Sequence, residues 1–258
     1  MKLNPLLPLI SAFLLTPTLN AGTLFSTGFE PPSYTLGALN GQNSWTNTTI
    51  PVVENTVVFA GSQAVAFDST GVTGQNLAVQ PLTYNSAADP DQIVVFDAEF
   101  MESPTGNDPT WDVFGVSGGA GFVAQLTVQN GKAQFGPDGQ GIVGAVPVTA
   151  GVWNDYQLVL NFATGTASAY VDSIFIGSGA FDNPTTTLTS FNLGVNSLLN
   201  GTDTATGYYD NISVTTTAPE PGSVGFVLAG LALLAARSRL RVATEPPCVN
   251  MRVDAAFL

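Results

Sequence analysis

The stretch that decides the fold is GVWNDYQLVLNFATGTASAYVDS (Gly151–Ser173). It holds two short segments rich in Val, Leu and Tyr, Trp153–Asn161 and Thr166–Val171, and no apolar run at the helical period of about 3.6 residues. In the first segment apolar and polar residues alternate, which is how a strand with one buried face reads. The residues that follow, VDSIFIG, form a tight turn at Asp172–Ser173 and a third segment at Ile174–Gly177.

Working outward, the same texture covers the chain between its two ends. Strands are expected at Val52–Phe59, Gln63–Phe67, Gln92–Met101, Asp112–Val116, Phe122–Val128, Lys132–Phe135, Thr187–Val195 and Tyr208–Thr215. Gly, Asn, Asp and Pro separate them. Asn130–Gly131 in QNGKAQF marks a two-residue hairpin, because both residues tolerate positive φ. The fold class is all-β, and the spacing of many short strands suits a sandwich.

Charge narrows the function. Residues 22–217 carry sixteen acids against the single base Lys132, a net charge of −15. Such a surface repels phosphate backbones, so nucleic acid is excluded as a partner. The same region contains no His and no Cys; the one cysteine is Cys248. Disulfides, histidine bases and thiolate nucleophiles are therefore excluded there, and carboxylates remain as the chemical actors.

Both ends read as addresses. MKLNPLLPLISAFLLTPTLNA (residues 1–21) places Lys2 before an apolar run and a polar stretch, the layout of a secretory signal peptide. Near the other end, TTTAPEPGS (Thr215–Ser223) reads as an extended linker. Gly222–Ala236 then carries no charge, and Arg237, Arg239 and Arg241 follow. Fifteen helical residues reach roughly 22 Å, short of a hydrocarbon core of about 30 Å. Pro219–Glu220–Pro221, the apolar run and the arginines together resemble the PEP-CTERM sorting signal of Gram-negative exopolysaccharide producers. The resemblance implies recognition of the tripeptide by an exosortase-type membrane protease and a short transmembrane helix with its arginines held in the cytoplasm. It also implies passage through the inner membrane to the cell surface or extracellular matrix. The expected organisation is signal peptide 1–21, sandwich 22–217, sorting signal 218–241 and an atypical tail 242–258.

A second resemblance covers most of the body. GFEPPSYTLGALNGQNSW (Gly28–Trp45), Gly151–Ser173 and GYYDNISV (Gly207–Val214) resemble laminin-G/concanavalin A-like lectin sandwiches, with Ser173 where that family usually has Gly. This implies a two-sheet antiparallel jelly roll. It implies no particular ligand, since the fold hosts lectins, hydrolases and lyases alike.

Three sets of residues are candidates for chemistry. FDAEFME holds Asp97, Glu99 and Glu102, similar to the Glu-x-Asp-x-x-Glu of concanavalin A-like glycoside hydrolases with the first two acids exchanged. Strand alternation puts Asp97 and Glu99 on one face and Glu102 on the other. Glu30, after the first strand, and Asp210, in the last, correspond to acids that help hold a structural calcium in similar carbohydrate-binding modules. Trp111, in the polar stretch GNDPTWD, is the candidate exposed aromatic for sugar contact, with Trp45 and Trp153 assigned to the core. The leading expectation is a non-catalytic, lectin-like envelope or matrix protein associated with exopolysaccharide. The alternatives are a glycan hydrolase using Asp97, Glu99 or Glu102, and a purely structural adhesive protein.

Overall fold

A computed structural model describes residues 22–47, 50–89, 91–104, 109–136, 141–197 and 203–217. The expected signal peptide (1–21), sorting signal with its short helix (218–241) and tail (242–258) lie outside the described residues. No helix long and apolar enough to cross a membrane occurs among the described residues.

In chain order the strands are β1 (Gly22–Thr27), β2 (Gly37–Ala38), β3 (Thr46–Asn47), β4 (Val52–Glu54), β5 (Ala64–Asp68), β6 (Gly74–Asn85), β7 (Ile93–Glu102) and β8 (Thr110–Gly118). They continue with β9 (Gly121–Gln129), β10 (Lys132–Gly136), β11 (Gly144–Pro147), β12 (Asn154–Asn161), β13 (Thr166–Val171), β14 (Ile174–Ala180), β15 (Thr187–Ser197) and β16 (Thr206–Thr217). Two antiparallel sheets result. One has the order β14-β13-β12-β7-β16-β5-β4-β2, with β1 also paired to β16; the other runs β11-β10-β9-β8-β15-β6-β3.

The stretch Gly151–Ser173 supplies β12 and β13, and the turn that follows stands at positive φ on both Asp172 (48°) and Ser173 (64°). Asn130 (51°) and Gly131 (64°) do the same between β9 and β10. Paired positive φ gives a hairpin turn the twist its strands need.

The sheets meet on their aromatic faces. Val94, Phe96, Ala98 and Phe100 of β7 and Tyr156, Leu158 and Leu160 of β12 point inward and are buried. Phe96 touches Phe114 of β8 and Phe191 of β15, with ring centroids 5.6 and 5.8 Å apart. Rings at such distances and tilts add roughly 0.5–1.5 kcal/mol per pair beyond burial.

Two expectations about strands are corrected. The twelve-residue β6 is missing from the sequence reading because Pro81 interrupts it. The β15–β6 register slips between Leu188 and Ser190, beside Pro81, so the proline sits at an irregularity where its missing N–H breaks no regular ladder. Conversely, the strand expected at Val52–Phe59 ends at Glu54. The Glu54 carboxylate accepts the N–H groups of Thr56 (2.6 Å) and Val57 (2.9 Å), a local turn that outcompetes the ladder.

β16 changes partner midway. Thr206–Tyr209 pairs with β5, while Ile212–Thr216 pairs with β1. The switch falls at Asp210–Asn211, where the β16–β7 register slips and Asn211 has φ 47°. That irregularity places Asp210 at the junction of three strands.

Candidate functional site

Along β7 the alternation separates the candidate carboxylates. Asp97 and Glu99 are partly exposed on the outer face, and Glu102 is 8% exposed. Glu102 accepts a hydrogen bond at 3.0 Å from the indole N–H of Trp111. Trp111 is itself fully buried, which corrects the expectation of an exposed sugar platform: β8 already begins at Thr110, so the ring enters the core instead of a loop.

The outer face is more acidic than the sequence suggests. Asp155 of β12 stands opposite Glu99, and Gln157 opposite Asp97. On the other side, Asp210 of β16 is opposite Glu99 and Ser213 is opposite Asp97. Asp172 joins the group from the β13–β14 turn, accepting the Asp155 N–H at 3.0 Å and donating its own N–H to the Asp155 carbonyl at 2.8 Å.

Crowding of like charges on a half-buried surface changes the protonation states. Burial, then the charges of Asp155, Asp97, Asp172 and Asp210, push the Glu99 carboxyl up to about 7. Burial, then Asp97 and Asp172, also hold Asp155 above the ordinary aspartate range. Gln157 donates to Asp97 Oδ2 at 3.4 Å.

Aromatic pairs border this row. Trp153, just ahead of β12, is half-buried against Phe59, which is 45% exposed; their centroids lie 5.7 Å apart at 60°. This corrects the assignment of Trp153 to the core. The Phe59 N–H donates to Asp210 Oδ2 at 3.1 Å, tying the pair to the carboxylates. On the far side Tyr170, opposite Gln157, packs on Phe175 at 5.5 Å.

Carboxyls with separated protonation states, flanked by aromatic rings, are suited to holding a sugar and exchanging a proton with it. Among the described residues no three acids are gathered to hold a metal.

Sequence reading missed Asp155, Asp172 and Phe59. Parity could have found Asp155, because Tyr156, Leu158 and Leu160 point inward and leave Asp155 and Gln157 outside. It also missed Asp112, 1% exposed on β8, which Gln125 and Gln75 donate to; burial pushes its carboxyl up against those bonds.

The two candidate calcium ligands converge around Gly28. A Cβ on Gly28 would lie 3.2 Å from Asn211 Oδ1, 3.7 Å from Glu30 Cγ and 3.8 Å from Asp210 Oδ1. The loop after β4 closes on both acids. Glu30 accepts N–H bonds from Ser62 (2.8 Å) and Gln63 (3.2 Å) and the Ser62 hydroxyl (2.5 Å), which lower its carboxyl below the usual range. Asp210, fully buried, accepts the N–H groups of Phe59, Ala60 and Asn211, yet burial raises it, with the Glu30 charge adding to the rise. Glu30 Oε1 and Asp210 Oδ2 each already accept two N–H bonds, whereas Glu30 Oε2 and Asp210 Oδ1 accept one each and keep a lone pair that a hard cation such as calcium could use.

Neither a family model nor a curated protein matches the chain. Solved structures do. A cellulose-induced protein, Cip1, superposes with a TM-score of 0.50 at 14% identity, covering 74% of this chain and 96% of that one. An alginate lyase of polysaccharide lyase family 7, AlgAT5, gives 0.50 at 11% identity over 75% of this chain and 94% of its own. A sialidase gives 0.55 at 12% identity, over 76% of this chain and 18% of its own. The fold is a jelly roll. The expectation of a body without catalysis is corrected to this extent: a protein named as an alginate lyase carries this architecture over 94% of its length, so the fold is open to catalysis. The sequence argument against catalysis rested on the order of the acids along β7, on the alternation that separates Glu102 from Asp97 and Glu99, and on the absence of histidine, whereas the cross-strand neighbour Asp155 gives Glu99 a second carboxylate partner.

Proposed function

We propose that the protein is an exported, glycan-active jelly roll that takes a neutral or basic polysaccharide on the outer face of its nine-stranded sheet. The observation that carries this reading is the partly exposed group Asp155, Glu99 and Asp97, with Asp210 buried behind Glu99 and the Trp153–Phe59 and Tyr170–Phe175 pairs at its borders. Aromatic rings offer apolar faces to sugar C–H groups. Glu99 supplies an acid toward a glycosidic oxygen, and Asp155, directly across the β7–β12 pair, is the second carboxyl such chemistry needs. Polyuronates are disfavoured, since Lys132 is the one base facing sixteen acids in residues 22–217.

The names of the structural neighbours support a glycan-directed role: an alginate lyase, a sialidase and a cellulose-induced protein. Pro219–Glu220–Pro221 and the flanking apolar and basic residues support delivery to the cell surface through an exosortase-type protease, with exopolysaccharide as the partner there. Calcium held by Glu30 and Asp210 would tie the end of β1 to β16.

The test is a glycan array of neutral, amine-bearing and uronate-rich polymers, read with the full chain and with Trp153→Ala. Binding to neutral or amine-bearing polymers that weakens in the variant supports the site. Unchanged binding in the variant, or binding to uronates alone, contradicts it. For the address, Glu220→Ala should leave the protein exported but unprocessed in the host membrane; normal release of the variant would refute the sorting role.

A further inference from the structure

Asp203 is the most anomalous acid among the described residues. It is fully buried, and neither carboxylate oxygen has a hydrogen-bond partner among the described residues. A buried carboxyl without partners is disfavoured unless something compensates it. Glu30, Asp210 and Asp112, by contrast, all have amide or hydroxyl donors. The lone base among the described residues, Lys132, sits in the β9–β10 hairpin with an exposed side chain, so no cation of the described residues is at hand.

A second oxygen is stranded at the same end of the sandwich. Ser197, 3% exposed at the end of β15, has a buried hydroxyl that is also without a partner. One loop, Ser69–Gly74, links the two positions. Ser69 donates its N–H (3.0 Å) and its hydroxyl (2.8 Å) to the carbonyl of Ala205, two residues after Asp203. Gly74, at the other end of that loop, is the register partner of Ser197. The turn bond from Val72 N–H to the Ser69 carbonyl, 3.0 Å, keeps the loop short.

We propose that Asp203 and Ser197 contribute ligands to a hard divalent cation, calcium, at the end of the sandwich where β15 and β16 meet this loop. Oxygen donors without nitrogen or sulfur select calcium or magnesium over transition metals. Calcium is favoured because it accepts six to eight oxygens in loose geometry, including backbone carbonyls and waters, whereas magnesium demands a near-ideal octahedron. The site is separate from Glu30 and Asp210 and from the glycan face, and none of its ligands is shared with them.

The experiment is calcium titration by calorimetry on the chelator-treated full chain, comparing wild type with Asp203→Asn, Ser197→Ala and Glu30→Ala. Asp203→Asn is expected to lose one molar equivalent of bound calcium, and Ser197→Ala to keep it with at least tenfold weaker affinity. Glu30→Ala should retain the Asp203 equivalent whatever happens at its own site, which separates the two. Wild-type stoichiometry and affinity in both Asp203→Asn and Ser197→Ala overturn the proposal. So does a wild type that binds no calcium. If Asp203→Asn fails to fold, the affinity of Ser197→Ala decides.

Discussion

Asp155 stands directly across the β7–β12 pair from Glu99, and on the opposite flank of Glu99 stands Asp210 of β16. Three carboxyls in one row across three strands cannot all ionise without mutual repulsion, and like charges facing each other across a ladder destabilise a sheet. Glu99, in the middle, is pushed up to about 7, first by burial and then by these neighbouring charges.

The first consequence is a pH dependence of stability. The folded state holds the Glu99 proton more tightly than the unfolded chain, whose value is near 4.5. Below the unfolded value both states are protonated and there is no penalty. As pH rises from about 4.5 through about 7 the folded state loses stability relative to the unfolded one. Melting temperature should therefore fall across that window, and Glu99→Gln should flatten the fall. An equal slope in the variant would show that Glu99 is not the group responsible.

The two tryptophans should respond in opposite ways. Trp111→Ala empties a fully buried site and removes one of Glu102's partners, at a cost of about 3–5 kcal/mol, and should appear as a lowered midpoint of chemical unfolding. Trp153→Ala removes a half-buried ring at the rim. It should weaken glycan binding about tenfold, or ~1.4 kcal/mol, with less than half the stability loss of Trp111→Ala.

Ser173 occupies a turn position at φ 64°, where an L side chain is strained. Ser173→Gly should raise stability by up to about 1 kcal/mol, the left-handed penalty less the entropy of glycine. For a chain of this size that is a melting shift of about 2–4 °C. A drop in melting temperature would mean the serine side chain makes a compensating interaction.

How much of this was legible in the sequence differs by level. The strands of Gly151–Ser173 were, because alternation and turn chemistry agree there; Thr166–Val171 is a strand with those bounds. β6 was not, because its proline works only in a register slip that a partner strand creates. Asp97 and Glu99 could be placed on one face from β7 alone. Their chemistry could not, because it depends on Asp155 and Asp210, which are distant in sequence and meet Glu99 only through sheet order. Trp111 misled for a related reason: a polar approach, GNDPT, precedes a ring that turns into the core.

The Glu30 site gives an independent check on calcium. Ligand bound only to the folded state stabilises it by about 2.7 kcal/mol at a hundredfold excess over Kd. Chelator should lower the melting temperature of the full chain, and Glu30→Ala should reduce that response. A response of wild-type size in the variant would place calcium elsewhere.

The most direct measurement of the central claim is chain cleavage. The purified full chain is incubated with the polymers it binds, and new reducing ends are counted for wild type and for Glu99→Gln. The account predicts cleavage that rises as pH falls toward 7 and is lost at least a hundredfold in the variant, which keeps its binding. Cleavage of equal rate in Glu99→Gln, or binding without any new chain ends in the wild type, would contradict it.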